Sequence, residues 1–312
     1  MLDGGLGHEW KRQSGDESFL GGCLACTRQP EGVSAVHAAF FDAADAGGWR
    51  GRCCATTNSF VATPHHVGDD AVALARAAVR CARSAAAGGP RRVVAGSLPP
   101  LGECYAARGA RAGDADAYAA LAAALADEGV DALLAETLSS SAEAVAAVEG
   151  VARARVPTPL WCCVTLADDA TARLRGGEPL AGALAAIVAA ARASGARLEG
   201  LGVNCCAPVA VDAALPTLVA AARDGGGLRV IVYANAFAGT TSAWLASVGR
   251  PDCRAGPDAP ADVADYAGGV LTAGAYAAKC RAWRAAGATV VGGCCGVSPD
   301  HMRAVAAALR DG

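Results

Sequence analysis

The 312-residue chain is 53% hydrophobic with a formal charge of −3, which is enough apolar material for one large core or two modest ones and excludes an intrinsically disordered chain. Its 27 Lys and Arg are scattered, which argues against a nucleic-acid partner. No run of about 18 apolar residues occurs and Met1-Leu2-Asp3 is not a basic-then-apolar leader, so neither a membrane span nor export is expected; fourteen cysteines in so long a chain suit the reducing cytoplasm better than a disulfide scaffold.

In chain order, Met1-Leu2 forms a strand stub ahead of Asp3-Gly4-Gly5, and short apolar runs follow at residues 52–56, 91–96, 132–136, 159–165, 201–204, 229–233 and 289–292. Helical patterns lie between them at 70–87, 115–128, 141–154, 179–194, 211–222 and 259–286. Asp114, Asp116 and Ser140-Ser141 mark helix starts, and Gly129, Gly195 and Gly287 mark helix stops. Short strands separated by longer helices imply parallel β/α units. Eight of them favour an α/β, (β/α)8 TIM barrel as a single domain over residues 1–312, with a short or truncated first strand. The segments 5–30 and 237–265 are irregular, and both follow strand ends, where a barrel carries its active-site loops.

A barrel brings its strand C-termini to one mouth, so distant polar residues acquire a common address. Those ends read Asp3-Gly4-Gly5, Thr57-Asn58-Ser59, Ser97-Leu98-Pro99-Pro100, Glu136-Thr137, Val164-Thr165, Asn204-Cys205-Cys206, Tyr233-Ala234-Asn235 and Cys294-Cys295. The last pair stands in Gly292-Gly293-Cys294-Cys295-Gly296. Neighbouring strand residues point to opposite faces, so two such thiols can share a ligand only where the chain leaves the strand, and glycines permit that break.

Cys205, Cys294 and Cys295 offer three soft thiolates, with a fourth tetrahedral position left for an exogenous group. A redox pair, or small cysteines that merely pack at the rim, are the competing readings. Cys53-Cys54 and Cys162-Cys163 lie within strands, one side chain inward and one outward, and read as structural. Cys23-Leu24-Ala25-Cys26 has the spacing of a zinc knuckle or redox pair without a companion motif, and could belong to a lid. Asp3 and Glu136 could hold a cationic amine or act as acid and base; each could equally be a carboxylate taken up by local backbone bonds. Asn235, Asn58 and Thr57 are polar positioners, and His37 has a structural role within a helix. Walker and dinucleotide glycine patterns are absent.

Together and in this order, Asp3-Gly4-Gly5, Thr57-Asn58-Ser59-Phe60, Glu136-Thr137, Gly202-Val203-Asn204-Cys205, Tyr233-Ala234-Asn235 and Gly292-Gly293-Cys294-Cys295-Gly296 resemble the homocysteine S-methyltransferase family over nearly the whole chain. The resemblance implies an enzyme with Zn2+ held by Cys205, Cys294 and Cys295, and with Asp3 and Glu136 holding the substrate. Tyr233 and Asn235 stand beside the metal as further carry-overs. The implied partners are homocysteine and a small methyl donor (S-methylmethionine, S-adenosylmethionine or betaine), with methionine as product. Another thiol or selenol acceptor, or a zinc-binding barrel without turnover, remains the alternative. A free thiol with a pKa of about 8.5 is mostly protonated at neutral pH, so a metal that holds substrate sulfur as thiolate suits this chemistry. Aromatic residues Phe19, Trp49, Phe60, Tyr105, Phe237 and Trp244 are candidates to face a cationic donor. The chain departs from the family at Gly7-His8-Glu9-Trp10, where Gly-Thr-Glu-Leu is common, and at Ala234, where many relatives carry proline.

Overall fold

The computed structural model describes residues 1–105, 109–241, 265–267 and 269–310. Among these residues the strands are β1 (Cys53–Thr56), β2 (Arg92–Leu98), β3 (Ala132–Leu138), β4 (Leu160–Val164), β5 (Leu198–Asn204), β6 (Arg229–Ala234), the short antiparallel pair β7 (Tyr266–Ala267) and β8 (Val270–Leu271), and β9 (Val290–Gly293). The helices are α1 (Leu6–Ser14), α2 (Gly21–Arg28), α3 (Pro30–Ala46), α4 (Pro64–Val67), α5 (Ala71–Ala86), α6 (Asp114–Asp127), α7 (Ser141–Ala154), α8 (Leu180–Ser194), α9 (Pro208–Asp224), α10 (Ala273–Ala285) and α11 (Pro299–Leu309).

Seven strands form one sheet in the order β1-β2-β3-β4-β5-β6-β9, with every neighbouring pair parallel. Residues 1–3 lie between its two edges. On one side Cys54 N donates to Met1 O at 2.8 Å and Asp3 N donates to Cys54 O at 3.0 Å; on the other, Leu2 N donates to Val291 O at 2.9 Å and Gly293 N to Asp3 O at 2.8 Å. The expected (β/α)8 barrel is therefore joined by a three-residue first strand, the shortness anticipated from Met1-Leu2.

The two-residue period of each strand sorts its side chains. Leu2, Cys54, Ala95, Leu134, Cys163, Ile231, Tyr233 and Val290 pack together inside the barrel. Cys53, Val94, Leu133, Cys162 and Val232 belong instead to the larger apolar layer shared with the helices. The cysteine pairs in β1 and β4 thus split inward and outward as the alternation requires, and all four thiols are buried.

Several elements differ from the sequence reading. Residues 5–30, expected to be irregular, contain α1, α2 and the start of α3. Leu6, Glu9 and Trp10 give α1 one buried face, a signal too short to stand out beside the polar stretch that ends it. The helix expected over 259–286 begins at Ala273, where Thr272 Oγ1 accepts Ala275 N at 3.3 Å as its N-cap. Residues 259–264 lie outside the described residues, and β7 and β8 precede the cap. Among the described residues, no helix is long and apolar enough to cross a membrane.

Candidate metal centre and substrate site

Cys205 follows β5, and Cys294 and Cys295 follow β9, so the parallel barrel delivers all three to the same end. Their sulfurs converge: Cys294 Sγ stands 2.9 Å and Cys295 Sγ 3.7 Å from Cys205 Sγ, with all three within 4.8 Å of one another. Metal–sulfur bonds of about 2.3 Å in a tetrahedral set place sulfurs about 3.8 Å apart, so the Cys205–Cys295 pair already has the spacing for a shared metal ion and the Cys205–Cys294 pair would open to admit one. Burial pushes the Cys205 thiol up, hydrogen bonds with Cys205 and Cys295 push Cys294 up with burial adding to them, and hydrogen bonds with the same two neighbours pull Cys295 down. A cation added among the three sulfurs would draw out their protons. Among the described residues this is the one cluster of three or more such side chains with metal-ligand spacing.

Local backbone geometry aims these sulfurs. Val290, Gly292 and Cys294 share the inward face of β9 and its exit, and Cys295 can join only because the chain leaves the strand after Gly293. The glycines act differently from the sequence argument. A Cβ on Gly292 would lie 2.5 Å from Leu2 Cβ and 3.1 Å from Asp3 O, so this glycine admits the closing first strand rather than supplying an unusual turn. Cys205 is itself left-handed, at φ 52°, a strained conformation for a residue with a Cβ. Its N–H donates to Tyr233 O at 3.1 Å, and its carbonyl accepts from Thr165 Oγ1 at 3.1 Å.

Asn235 ties the cysteines together: its Oδ1 accepts from Cys205 Sγ at 3.3 Å and from Cys295 N at 3.2 Å. It lies in contact with the proposed ligands rather than across the mouth from them. Tyr105, foreseen as an aromatic face for a donor, brings its hydroxyl to 2.7 Å from Cys205 Sγ.

Glu136 and Asp3 are 6% and 3% exposed. Glu136 Oε1 accepts from Ser97 Oγ at 2.5 Å and Oε2 from Tyr233 Oη at 3.0 Å, a contact that gives Tyr233 its place beside the carboxylate. Desolvation pushes the Glu136 carboxyl up to about 7 against those two donors. Glu136 shares the inward face of β3 with Leu134 by ordinary alternation, and the strand breaks just after it: Thr137 has φ 61°, and the β3–β4 register shifts between Ala135 and Leu138. Asn204 holds that irregularity by accepting Thr137 N and donating to Thr137 Oγ1, each at 2.8 Å. Asp3 accepts Thr56 N at 2.8 Å and Thr56 Oγ1 at 3.1 Å, yet burial, aided by the Glu136 charge, pushes it up to about 7. The mouth thus holds two carboxyls whose charged forms burial disfavours.

The remaining sequence candidates fall elsewhere. Thr57 Oγ1 accepts Ser97 N at 2.9 Å and Asn58 Nδ2 donates to Gly22 O at 2.7 Å, so both knit loops together. Cys206 is buried in the helix-side layer. Cys23 and Cys26 lie buried on α2, and the thiol neighbour of Cys26 includes Cys81 on α5. His37 is buried in α3 and desolvation lowers it to about 3, so it is a neutral core residue; its ring nitrogens meet no hydrogen-bond partner among the described residues. Trp49 donates to Arg52 O below β1, away from the mouth; Phe19 is 59% exposed, Phe60 half-buried and Phe237 buried. Trp244 lies outside the described residues. His8, at the point where the chain departs from the family pattern, accepts Gly296 N on Nδ1 at 3.1 Å, and burial lowers its pKa to about 4, which keeps that nitrogen free to accept.

The sequence reading missed Asp168, Arg175 and Thr241, which form a buried polar group beneath Cys205. Asp168 and Arg175 stand in the loop after β4 at a spacing that matches no motif, and only their position after a strand end could have singled them out.

The sequence model of the family described as homocysteine S-methyltransferase matches residues 1–309. The chain belongs to the homocysteine S-methyltransferase family. The metallated form of the homocysteine methyltransferase MmuM from Escherichia coli is 26% identical, with a TM-score of 0.68 over 98% of this chain and 94% of that one. Its oxidized form gives 25% identity and a TM-score of 0.65 over 97% and 94%. Homocysteine S-methyltransferase 4 of Zea mays is 27% identical over 190 residues, which are 60% of this chain and 46% of the maize protein. Homocysteine S-methyltransferase 3 of Arabidopsis thaliana is 26% identical over 192 residues, again 60% and 46%. The matched region therefore spans less than half the length of these plant relatives.

Proposed function

We propose that this barrel, taken as one domain over residues 1–312, transfers a methyl group from an activated donor to the thiolate of homocysteine, giving methionine. The observation that carries the reading is the convergence of three cysteine sulfurs within 4.8 Å at the end of a family barrel that also buries Asp3 and Glu136. Cys205, Cys294 and Cys295 would hold Zn2+, a match of soft donors to a metal that favours them. When bound, zinc supplies a Lewis acid that keeps the substrate sulfur as thiolate at neutral pH.

The chain's own groups set the rest. Asp3 and Glu136 receive the homocysteine ammonium, which replaces the solvent they have lost and draws both carboxyls into their charged form. Tyr233 donates to Glu136 Oε2 and leaves the other oxygen's free lone pair to face the substrate. Asn235 fixes the cysteine pair from below. The fixed amino group orients the thiol for displacement along the donor's carbon–heteroatom bond, an alignment whose entropy is met on binding.

The test combines metal quantification with an assay of reduced, zinc-loaded protein, homocysteine, and S-methylmethionine, S-adenosylmethionine or betaine in turn. Methionine formed from at least one donor, with one zinc per chain, supports the reading. A stoichiometric zinc protein inactive with all three donors refutes methyl transfer to homocysteine from these donors.

A further inference from the structure

We propose that Asp168 and Arg175 are positioning residues of the metal centre, a buried ion pair that sets the geometry of Cys205 and, through Thr241, of Asn235; the inference rests on the zinc reading above. The pair is held at 3.0 Å with side chains 3% and 8% exposed. Asp168 joins three strand-end loops at one carboxylate. Its Oδ1 accepts Ala207 N at 2.8 Å, two residues beyond Cys205, and Thr241 Oγ1 at 3.1 Å. Its Oδ2 accepts Thr241 N at 2.7 Å. Its own place in the loop after β4 is fixed because that loop folds back on itself, with Leu166 bridging Leu174 and Arg175 N donating to Thr165 O at 3.2 Å.

Arg175 completes the connection. Its Nη2 donates to Thr241 Oγ1 at 2.7 Å and to the Cys205 carbonyl at 3.4 Å, and its Nε donates to Thr165 Oγ1 at 3.3 Å, the hydroxyl that bonds the same carbonyl. The guanidinium carbon lies 5.0 Å from the centre of the Tyr105 ring, whose hydroxyl touches Cys205 Sγ. Thr241 Oγ1 also accepts Asn235 Nδ2 at 3.3 Å, and Asn235 Oδ1 in turn receives Cys205 Sγ and Cys295 N.

A left-handed Cys205 at φ 52° persists only if its surroundings over-determine it. The Arg175 and Thr165 bonds to its carbonyl, with Asp168 on Ala207 N, hold both sides of that residue. A side chain that orients a ligand from behind commonly governs metal affinity by about 10- to 100-fold. The chemistry also explains the choice of ion pair: a charged fork can bridge a carbonyl, a hydroxyl and a carboxylate at once.

The experiment measures zinc affinity of reduced full-length protein by chelator competition, and the thiolate bands of the cobalt-substituted protein, for wild type, Asp168→Asn, Arg175→Lys and Thr241→Val. Thr241→Val keeps both charged side chains but removes the hydroxyl that links Arg175 and Asp168 to Asn235, so it reports on positioning even if Asp168→Asn fails to fold. Zinc binding about 10- to 100-fold weaker with shifted cobalt bands, in variants whose metal-free unfolding remains cooperative, is the expected result. Wild-type zinc affinity within twofold and unchanged cobalt bands in Thr241→Val and in every folded ion-pair variant would overturn the inference and leave the methyltransferase reading standing. A wild-type protein that binds no zinc would overturn both.

Discussion

Replacing Glu136 with Gln should remove a pH-dependent cost of folding. The carboxyl rises from 4.5 to about 7 because the barrel mouth strips its water, with Ser97 and Tyr233 only partly offsetting that loss. Folded protein therefore binds the proton more tightly than unfolded protein. The stability this confers is complete below pH 4.5 and is lost as pH rises to about 7. At about 1.4 kcal/mol per pH unit, the ionised side chain costs the metal-free protein about 3 kcal/mol. Gln carries no charge, so its stability relative to wild type should rise by about 2 to 3 kcal/mol between pH 5 and pH 8. A constant offset from the amide facing the Tyr233 hydroxyl cancels in that comparison. Relief of Asp3, whose carboxyl the Glu136 charge also raises, acts in the same direction. Urea unfolding of both proteins, reduced and metal-free, at the two pH values gives the difference. A stability difference independent of pH would refute the claim that this carboxyl is held near 7 by burial. The energy spent there is recovered when an ammonium arrives, so the stabilised variant should bind homocysteine worse.

Asp3→Asn should keep zinc stoichiometry and raise KM for homocysteine by about 10-fold or more, since a charge-assisted contact is worth about 1.5 to 3 kcal/mol; steady-state kinetics with metal quantification checks this. Ser in place of Cys205, Cys294 or Cys295 should lower zinc retention and turnover together, read by chelator competition beside the methionine assay. Gly292→Ala should destabilise the protein by about 1 to 3 kcal/mol, because its Cβ would stand 2.5 Å from Leu2 Cβ; a lowered thermal midpoint is expected, and an unchanged one would show that the first strand does not pack there.

The period of the apolar runs was enough to order the strands, because each buried strand must be apolar whatever surrounds it. The cysteine trio was legible too, since a parallel barrel sends every strand end to one mouth. What stayed hidden depends on contacts across long stretches of sequence. The reciprocal Asn204–Thr137 bonds hold the strand irregularity that directly follows Glu136, and neither residue signals the other. Asp168 reaches Thr241 across 73 residues, so no local pattern could join them. Helices α1 and α2 escaped notice because they bury only a few apolar positions each, whereas Gly292 was read as a flexible break although its role is close approach.

Zinc-edge X-ray absorption of the reduced, zinc-loaded protein, before and after homocysteine, tests the central claim most directly. The expected change is from three sulfur neighbours to four, all at about 2.3 Å, as the substrate thiolate enters. A zinc environment unchanged by saturating homocysteine, or one with fewer than three sulfurs, would contradict it.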